Sequence, residues 1–343
     1  MNTMADPTLA GAALASVPGE TMSFSQAYRD ALAFALESDP SVVLLGEDIA
    51  DPAGGVTKLL RGLSTRFGVQ RVRSTPISEQ AIVGAAIGAS LGGMRPVAEI
   101  MLMDFLGVCL DQLANHAAKL RYMTGGRSHV PITIRTMVGG GGSNGAQHSQ
   151  SLESWLTNVP GMKVVCPSNP LDGKGLLLSS IFDDDPCIIM EMSRVIFHPQ
   201  KMVVPRGDYR VPLGVAEVRR AGTDVTIVSW GRTLNDALIA ADELAELSVS
   251  AEVIDLRSLV PLDIQTVLTS AAKTTRVLVV HAGVQFAGFG AEIASQVTEN
   301  LFDTLSCPVR RLGAPYAPTP AGPLEASYVP TASTITSAAL GLK

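Results

Sequence analysis

Two carboxylates in the first half of the chain stand where acid–base chemistry could take place. Glu79 is followed by AIVGAAIGASLGG, an almost uncharged stretch, so we expect it to begin a helix that is buried nearly all round. Burial raises the pKa of a carboxyl group and would let Glu79 share or donate a proton. The simpler interpretation is a first-turn carboxylate that interacts with the helix dipole. Glu47 follows a predicted strand, and parallel sheets bind ligands at the carboxyl ends of their strands.

A histidine beside a glycine-rich loop is the third candidate. His148 lies in VGGGGSNGAQHSQ, where bare backbone would let a ligand approach closely, although an exposed loop histidine is the simpler interpretation. Gly140, Gly142 and Gly145 match the dinucleotide pattern G-x-G-x-x-G. That fingerprint also needs a helix that opens from the loop and an acid about 20 residues on, where this chain has Val165. The context disfavours a dinucleotide site.

Composition excludes several classes of protein. The chain has 343 residues, of which 46% are apolar and 17% charged, so it has ample material for a core and is not a disordered chain. Lys and Arg number 26 against 32 acids, a net charge of −6 that argues against a nucleic-acid binder. No apolar stretch is long enough for a membrane span, and four dispersed cysteines predict reduced thiols. We expect a soluble, cytoplasmic protein.

Alternating strand and helix patterns predict an α/β fold with two doubly wound domains. Strands are predicted at 42–45, 95–101, 131–138, 163–166, 187–190, 224–230, 252–256, 276–281 and 309–312. Helices are predicted at 24–38, with Ser23 as N-cap, and at 57–66, 78–91, 105–122, 171–182, 234–247, 263–272 and 292–301. We divide the chain into a flexible tail (1–20), a first domain (21–195), a linker (196–212) and a second domain (213–343).

Glycines recur every four residues along the predicted helix 78–91. Gly84, Gly88 and Gly92 share one face, and so smooth a face would let another helix approach closely. That helix could belong to the same domain or to another subunit.

Together the motifs resemble a known family, the β subunits of the thiamine-diphosphate-dependent first component of 2-oxo acid dehydrogenase complexes. The resemblance runs from about residue 22 to 331 and rests on LLGEDIADPAGGVTKLLRGLSTRFG, STPISEQAIVGAAIGASLGGMRPVAEIMLMDF, LDQLANHAAKLRYMTGG, AQHSQSLESWLTNVPGMKVVCPSNPLDGKGLL and APYAPTP. MDFLGVCLDQ, RYMTGG and IRTMVGGG look most like the acetoin dehydrogenase branch. The resemblance implies a transketolase-like pyrimidine-binding domain followed by a transketolase C-terminal domain.

The resemblance also implies roles for individual residues. Glu79 matches the glutamate that hydrogen-bonds the aminopyrimidine ring of thiamine diphosphate, and Phe105 the aromatic residue that packs on that ring. Glu47 matches a carboxylate of the same pocket, and His148 the active-site histidine near the reacting carbon. A potassium site that some members build largely from backbone carbonyls would fall on Ile132, Ser180, Asp183 and Asp185.

The family's partners follow from what this chain lacks. In this family a Gly-Asp-Gly sequence on the α subunit usually holds the diphosphate and its Mg²⁺; here Gly207-Asp208 is followed by Tyr209. The resemblance therefore implies half of a shared active site, an α₂β₂ assembly, a small-molecule substrate and a lipoyl acyltransferase core as acceptor. Acetoin, pyruvate and branched-chain oxo acids remain open as substrates. An NAD-dependent dehydrogenase and a non-catalytic partner subunit are the alternatives.

Overall fold

A computed structural model describes residues 19–140 and 142–342 of the chain. Most of the predicted tail at 1–20 therefore lies outside the described residues, and Gly19 and Glu20 begin a strand.

In chain order the described strands are β1 Gly19–Ser23, β2 Val42–Glu47, β3 Val72–Thr75, β4 Arg95–Leu102, β5 Thr133–Val138, β6 Lys163–Val165, β7 Cys187–Met192, β8 Lys201–Pro205, β9 Glu217–Arg220, β10 Val225–Ser229, β11 Ala251–Asp255, β12 Ser258–Val260, β13 Val277–Val284 and β14 Arg310–Ala314. The α-helices are α1 Phe24–Ser38, α2 Leu63–Phe67, α3 Glu79–Leu91, α4 Ala118–Met123, α5 Glu153–Thr157, α6 Pro170–Ile181, α7 Ser193–Ile196, α8 Arg232–Glu246, α9 Ile264–Thr274, α10 Gly290–Leu301 and α11 Ala332–Leu340. Short 3₁₀ helices cover Met103–Cys109 and Gly322–Ser327, and a π-helical turn covers Gln112–Ala117.

Two sheets of mainly parallel strands confirm the α/β prediction. The first has the order β12-β6-β7-β5-β4-β2-β3 and the second the order β14-β13-β10-β11-β9. Central strands such as β2 and β7 are almost wholly buried, because helices cover both faces of a parallel sheet. Helix α1 begins as predicted: the Ser23 hydroxyl accepts from Gln26 N, and the Gln26 side chain accepts from Ser23 N.

The two halves of the chain are joined through shared strands. β12 comes from the second half, yet it pairs antiparallel with β6 at the edge of the first sheet. β8 lies inside the predicted linker 196–212 and pairs antiparallel with β1 over its whole length. The stretch predicted as an irregular linker therefore contains an ordered strand, because its partner strand is 180 or so positions earlier in the chain and leaves no local signal.

Two local predictions were wrong, and a third predicted helix is helical throughout but is not a single α-helix. The predicted helix at 57–66 is mostly a series of turns, since Lys58 and Gly62 have φ of 57° and 91°, and only α2 is helical there. The predicted helix at 105–122 changes pitch, from 3₁₀ to a π-helical turn and then to α4. Helix α3 is not buried nearly all round in this chain, because one side of it, Gln80, Ala81, Ala85, Gly88 and Leu91, is exposed.

A buried ion network links three strands of the first sheet. Arg135 on β5 donates to Glu191 on β7 at 2.6 and 3.0 Å and to Glu99 on β4 at 2.9 Å. The Arg135 side chain is 2% exposed, and its guanidinium also lies 5.8 Å from the centre of the Tyr28 ring. Burial raises the pKa of Glu191, and the Arg135 cation opposes that rise. Arg135 therefore supplies the cation with which the carboxylates of Glu191 and Glu99 pair in this part of the sheet.

Arg135→Met should lower the free energy of unfolding by about 3–5 kcal/mol at neutral pH, because two buried carboxylates lose their cation. The loss should be smaller at pH 5 than at pH 8, since the raised pKa of Glu191 favours its neutral form as the pH falls. Urea unfolding at both pH values measures this. Arg66→Met, which breaks an exposed pair with Glu37, is the control and should cost less than about 1 kcal/mol. Equal losses in the two variants would contradict the assignment.

A second buried cluster holds the two halves together. Arg257, next to β12, bonds Asp172 of α6 at 2.9 Å and Glu217 of β9 at 2.5 Å. The carboxylate of Asp255 accepts from Ser168 Oγ at 3.2 Å and from Arg257 N at 3.1 Å. Burial, together with the negative charge of Asp172, raises the pKa of Asp255 to about 7. The cluster between the two halves therefore contains a carboxyl group, that of Asp255, which loses its proton less readily than an exposed carboxyl group does.

Asp255→Asn should change the pH dependence of stability in one direction. A carboxyl whose pKa is higher in the folded than in the unfolded chain stabilises the fold at low pH and loses that contribution as the pH rises through 7. The variant lacks this loss, so its stability relative to wild type should rise between pH 4 and pH 7, by about 2–4 kcal/mol, and then stay constant. Urea unfolding across pH 4–8 measures the difference. Asp303→Asn, which removes an exposed carboxylate, controls for net charge; the same profile in both variants, or a flat difference for Asp255→Asn, would contradict the prediction.

Candidate active site

The candidate site lies at the carboxyl ends of neighbouring strands in the first sheet. β2 ends at Glu47, whose partner across the ladder is Thr75 at the end of β3, and α3 begins four residues later at Glu79. β4 leads directly into the 3₁₀ turn that carries Phe105, and β5 leads into the segment that carries His148. Because β3, β2, β4 and β5 are adjacent, the fold delivers all four predicted residues to one edge.

Glu47 is the most buried of the four. Its exposed fraction is 7%, and its Oε1 is buried with no hydrogen-bond partner among the residues that the structure describes. Burial raises the pKa of Glu47, and the negative charges of Glu79, Asp48 and Glu99 raise it further. Glu47 is therefore a carboxyl group that favours its protonated form more than an exposed one does.

The negative charge of Glu79 affects the pKa values of two neighbouring groups, Glu47 and Cys109. Its charge raises the pKa of Glu47, and it adds to the effect of burial that raises the pKa of the Cys109 thiol to about 12. Glu79 itself is only partly buried, because the exposed side of α3 begins beside it. Its carboxylate therefore stands at the boundary between the buried Glu47 and the open surface of this chain.

Phe105 and His148 are in direct contact. Their ring centroids are 5.6 Å apart and the rings are nearly perpendicular, with an interplanar angle of 85°. Phe105 is half-buried and His148 is exposed. The two segments are tied next to this contact, since Asp104 Oδ1 accepts from Gln150 Nε2 at 2.8 Å and from Gln150 N at 3.3 Å.

Further polar atoms at this edge are buried without partners in the described part of the chain. They are Thr75 Oγ1, Asp104 Oδ2 and Gln112 Oε1, in addition to Glu47 Oε1. Buried polar atoms in folded proteins are almost always hydrogen-bonded, so a cluster of exceptions indicates a place where a polar ligand binds. The residues present thus fit a heterocycle that has both hydrogen-bonding atoms and an apolar face. Sequence reasoning missed these three residues, and only Asp104, two residues after β4, had a strand end as a signal.

Helix α3 has an apolar face that no other described residue of this chain covers. Ile77 just before it is 83% exposed and Leu91 is 52% exposed. A Cβ placed on Gly88 would meet nothing within 4 Å, and one on Gly84 would meet only Gln112 Cγ at 3.9 Å. The smooth face predicted from the glycine spacing is therefore open rather than packed within the domain.

The residues of the predicted potassium site lie near one another, but their carboxylates already pair with cations. Cys187 N donates to Ile132 O, and Asp183 N donates to Ser180 O. Lys163 Nζ contacts both carboxylate oxygens of Asp183 at 2.6 and 2.7 Å. Arg121 bonds the carboxylate of Asp185 at 2.6 Å, and Arg95 donates to the Asp183 carbonyl at 2.9 Å. Backbone carbonyls rather than carboxylates are thus what this region could offer to an ion.

The geometry of the glycine-rich loop differs from that of a dinucleotide site. Gly140 and Gly145 do have positive φ, of 82° and 75°. The next helix is the five-residue α5, which starts at Glu153 and does not open from the loop. Within 19–140 and 142–342 there is also no cluster of three or more His, Cys, Asp or Glu side chains suited to a metal ion, and no helix long and apolar enough to cross a bilayer.

Comparison with known proteins agrees with this geometry. Residues 20–195 match the transketolase pyrimidine-binding domain, and residues 214–335 match the transketolase C-terminal domain. An inactive β₄ tetramer of a split-gene transketolase superposes with a TM-score of 0.73 at 23% identity, over 94% of this chain and 98% of that one. At that identity the likeness shows the fold alone.

Relatives of higher identity span nearly the whole chain. The acetoin:2,6-dichlorophenolindophenol oxidoreductase β subunit of Bacillus subtilis is 43% identical over 94% of this chain and 97% of its own. Its Cupriavidus necator counterpart is 44% identical over 93% and 96%. The pyruvate dehydrogenase E1 β subunit of B. subtilis is 40% identical over 90% and 94%. The chain therefore belongs to the family of β subunits of thiamine-diphosphate-dependent acetoin and 2-oxo acid dehydrogenases, which are built from these two transketolase domains.

Proposed function

We propose that this chain is the β subunit of a thiamine-diphosphate-dependent dehydrogenase that cleaves a C–C bond next to a carbonyl and passes the acyl-level fragment to a lipoyl acceptor, and that it acts only with an α subunit. Acetoin is the substrate we favour, because two acetoin subunits are 43% and 44% identical over 94% and 93% of this chain, whereas a 2-oxoisovalerate dehydrogenase β subunit of 44% identity matches over 87% of it. The observation that carries the proposal is the pair of carboxylates, Glu47 and Glu79, beside the Phe105–His148 contact.

The four residues suit distinct tasks in that reaction. When bound, thiamine diphosphate supplies a carbon acid whose conjugate base adds to a carbonyl. Glu79 would hold a proton at the ring nitrogen of the aminopyrimidine, and Glu47, whose pKa burial raises, would offer a second carboxyl group to the same pocket. Phe105 would give the ring an apolar surface. His148, exposed at the mouth of the site, would hydrogen-bond the substrate oxygen as charge develops on it.

The α subunit would complete the site. The sequence contains no Gly-Asp-Gly, and the carboxylate of Asp208 in the Gly207-Asp208 pair is already bound to Arg210 at 2.7 Å. We place the diphosphate and Mg²⁺ mainly on the α subunit, in an α₂β₂ assembly. The open face of α3 is the surface of this chain that we assign to a subunit contact, with a lipoyl acyltransferase core as the further partner.

Reconstitution tests the proposal. The purified chain alone should give no turnover, whereas the chain co-expressed with an α-type subunit should reduce an artificial acceptor dye with acetoin, pyruvate or branched-chain oxo acids. Glu79→Gln should lower kcat by about 10²–10⁴, because the proton at the ring nitrogen is no longer controlled. Glu246→Gln, an exposed position on α8, is the matched control and should keep full activity.

Two outcomes would overturn the proposal. Appreciable turnover by the unaided chain would refute the shared site. Full activity of the Glu79→Gln pair would indicate a non-catalytic partner subunit.

We also propose that backbone carbonyls of the Ile132 and Ser180–Asp185 region hold potassium. The support is the proximity of the two segments and the neutralised carboxylates, which leave carbonyl oxygens as ligands of the kind a monovalent ion accepts. The melting temperature of the purified chain should then be a few degrees higher in KCl than in NaCl or choline chloride of the same ionic strength. Equal melting temperatures in the three salts would contradict the site.

A further inference from the structure

A cavity lies between the two halves of the chain, beside the segment that carries His148. Its volume is about 70 Å³, which is room for a few water molecules or for an anion the size of acetate or phosphate. The first half contributes Gly139, Gly140 and Ser149 to its wall, and the second half contributes Arg232, Gly283 and Thr319.

An arginine without a hydrogen-bond partner stands in the wall of this cavity. Arg232 Nε and Nη1 are both buried, and neither has a hydrogen-bond partner among the residues that the structure describes. Burial, with a contribution from the Arg194 cation, lowers the pKa of Arg232 to about 10, although the charges of Asp236 and Glu325 act in the opposite direction. A guanidinium is still charged at neutral pH, so two donors of this cation are left without an acceptor in the described part of the chain.

A second unpartnered group lines the same cavity. Ser149 is 5% exposed, and its Oγ has no hydrogen-bond partner in the described parts of the chain. Its backbone is fixed, because Thr319 Oγ1 donates to Ser149 O and a Cβ on Gly139 would lie 2.0 Å from Ser149 Cα. Gly140 is fixed as well: Ser193 Oγ donates to Gly140 O at 2.7 Å, and a Cβ there would lie 2.8 Å from Arg232 Nη1.

We propose that this cavity binds a small oxyanion, a carboxylate or a phosphate, through the guanidinium of Arg232 and through Ser149 Oγ. A buried guanidinium without an acceptor can donate a charge-assisted hydrogen bond to one oxygen of such an anion, and bonds of this kind are among the strongest hydrogen bonds in proteins. The site includes none of the four residues of the proposed active site, although Ser149 adjoins His148, and it does not depend on the function assigned to them.

The bound anion also positions His148. Ser149 follows His148 directly, and Ser143 N donates to Glu325 Oε2 at 2.8 Å, so the segment already contacts the second half on both sides of the histidine. An anion held by Ser149 and Arg232 adds a bond between the two halves at this point. Binding should therefore hold the residues around His148 more rigidly.

Thermal unfolding of the full chain tests the binding. Sodium acetate, pyruvate and phosphate, each titrated against NaCl of equal ionic strength, should raise the melting temperature of the wild type in a saturable way. Arg232→Met should weaken the apparent affinity roughly tenfold or more, while its melting temperature without anion stays equal to or above that of wild type, because an unpaired buried cation is removed. Ser149→Ala should weaken the affinity less.

Matched variants keep the test decisive. Arg194→Met removes a nearby but exposed cation that does not line the cavity, and it should leave the affinity unchanged. Arg232→Lys keeps the charge but loses the guanidinium N–H donors at this position, so it should bind weakly even if Arg232→Met fails to fold. Binding of acetate or pyruvate would show that the site takes a carboxylate, and binding of phosphate would show that it takes a phosphate. No shift with any anion, or equal loss in Arg194→Met, would overturn the proposal.

Hydrogen exchange tests the positioning. In wild type the saturating anion should slow amide exchange in peptides covering residues 142–152, and it should have no such effect in Arg232→Met. Binding without any change in exchange would refute the effect on His148 while leaving the anion site in place.

Discussion

The buried guanidinium of Arg135 is the constraint on which the first half of the molecule depends. It joins β4, β5 and β7 through Glu99 and Glu191, and the carboxyl ends of those strands lead to Phe105, to His148 and to Ser193. The cluster has two carboxylates and one cation, and Glu99 contributes to the raised pKa of Glu47. The negative charge that fixes the core thus extends to the site, where it favours a ligand that brings positive charge or a proton.

The second half of the chain contributes to the site by holding a segment rather than by supplying the four residues. Strand β12 completes the first sheet, and Arg257 beside it bonds Asp172. Thr319, in the APYAPTP stretch, bonds the backbone of Ser149, next to His148. A division at the linker would assign His148 entirely to the first domain. In the folded chain its position depends on contacts from both domains.

The sequence predicted the elements that apolar patterns determine, such as long buried strands. It predicted few of the features that depend on residues distant in the chain. Long buried strands such as β2, β5 and β13 were predictable because a parallel sheet covered on both faces needs continuous apolar runs. The short strands β3, β9 and β12 were missed, since edge strands of three or four residues depend on pairing more than on composition. Glu47 could be placed by the strand-end rule. Thr75, Gln112 and Arg232 could not, because what distinguishes them is the lack of a partner in three dimensions.

Exposed apolar area and buried polar atoms without hydrogen-bond partners occur at the same edge of the described part of this molecule. Apolar area is exposed on α3 at Ile77 and Leu91, and buried polar atoms without partners lie nearby at Glu47 and Gln112. Either alone would reduce stability, since exposed apolar area loses about 25 cal/mol per Å² and an unpaired buried polar group costs about 1–3 kcal/mol. A second chain against α3 would cover the first surface, and a ligand held between the chains would satisfy the second. In such an assembly the free energies of subunit association and of ligand binding would be coupled, and Glu79, at the start of α3, would lie where the two surfaces meet.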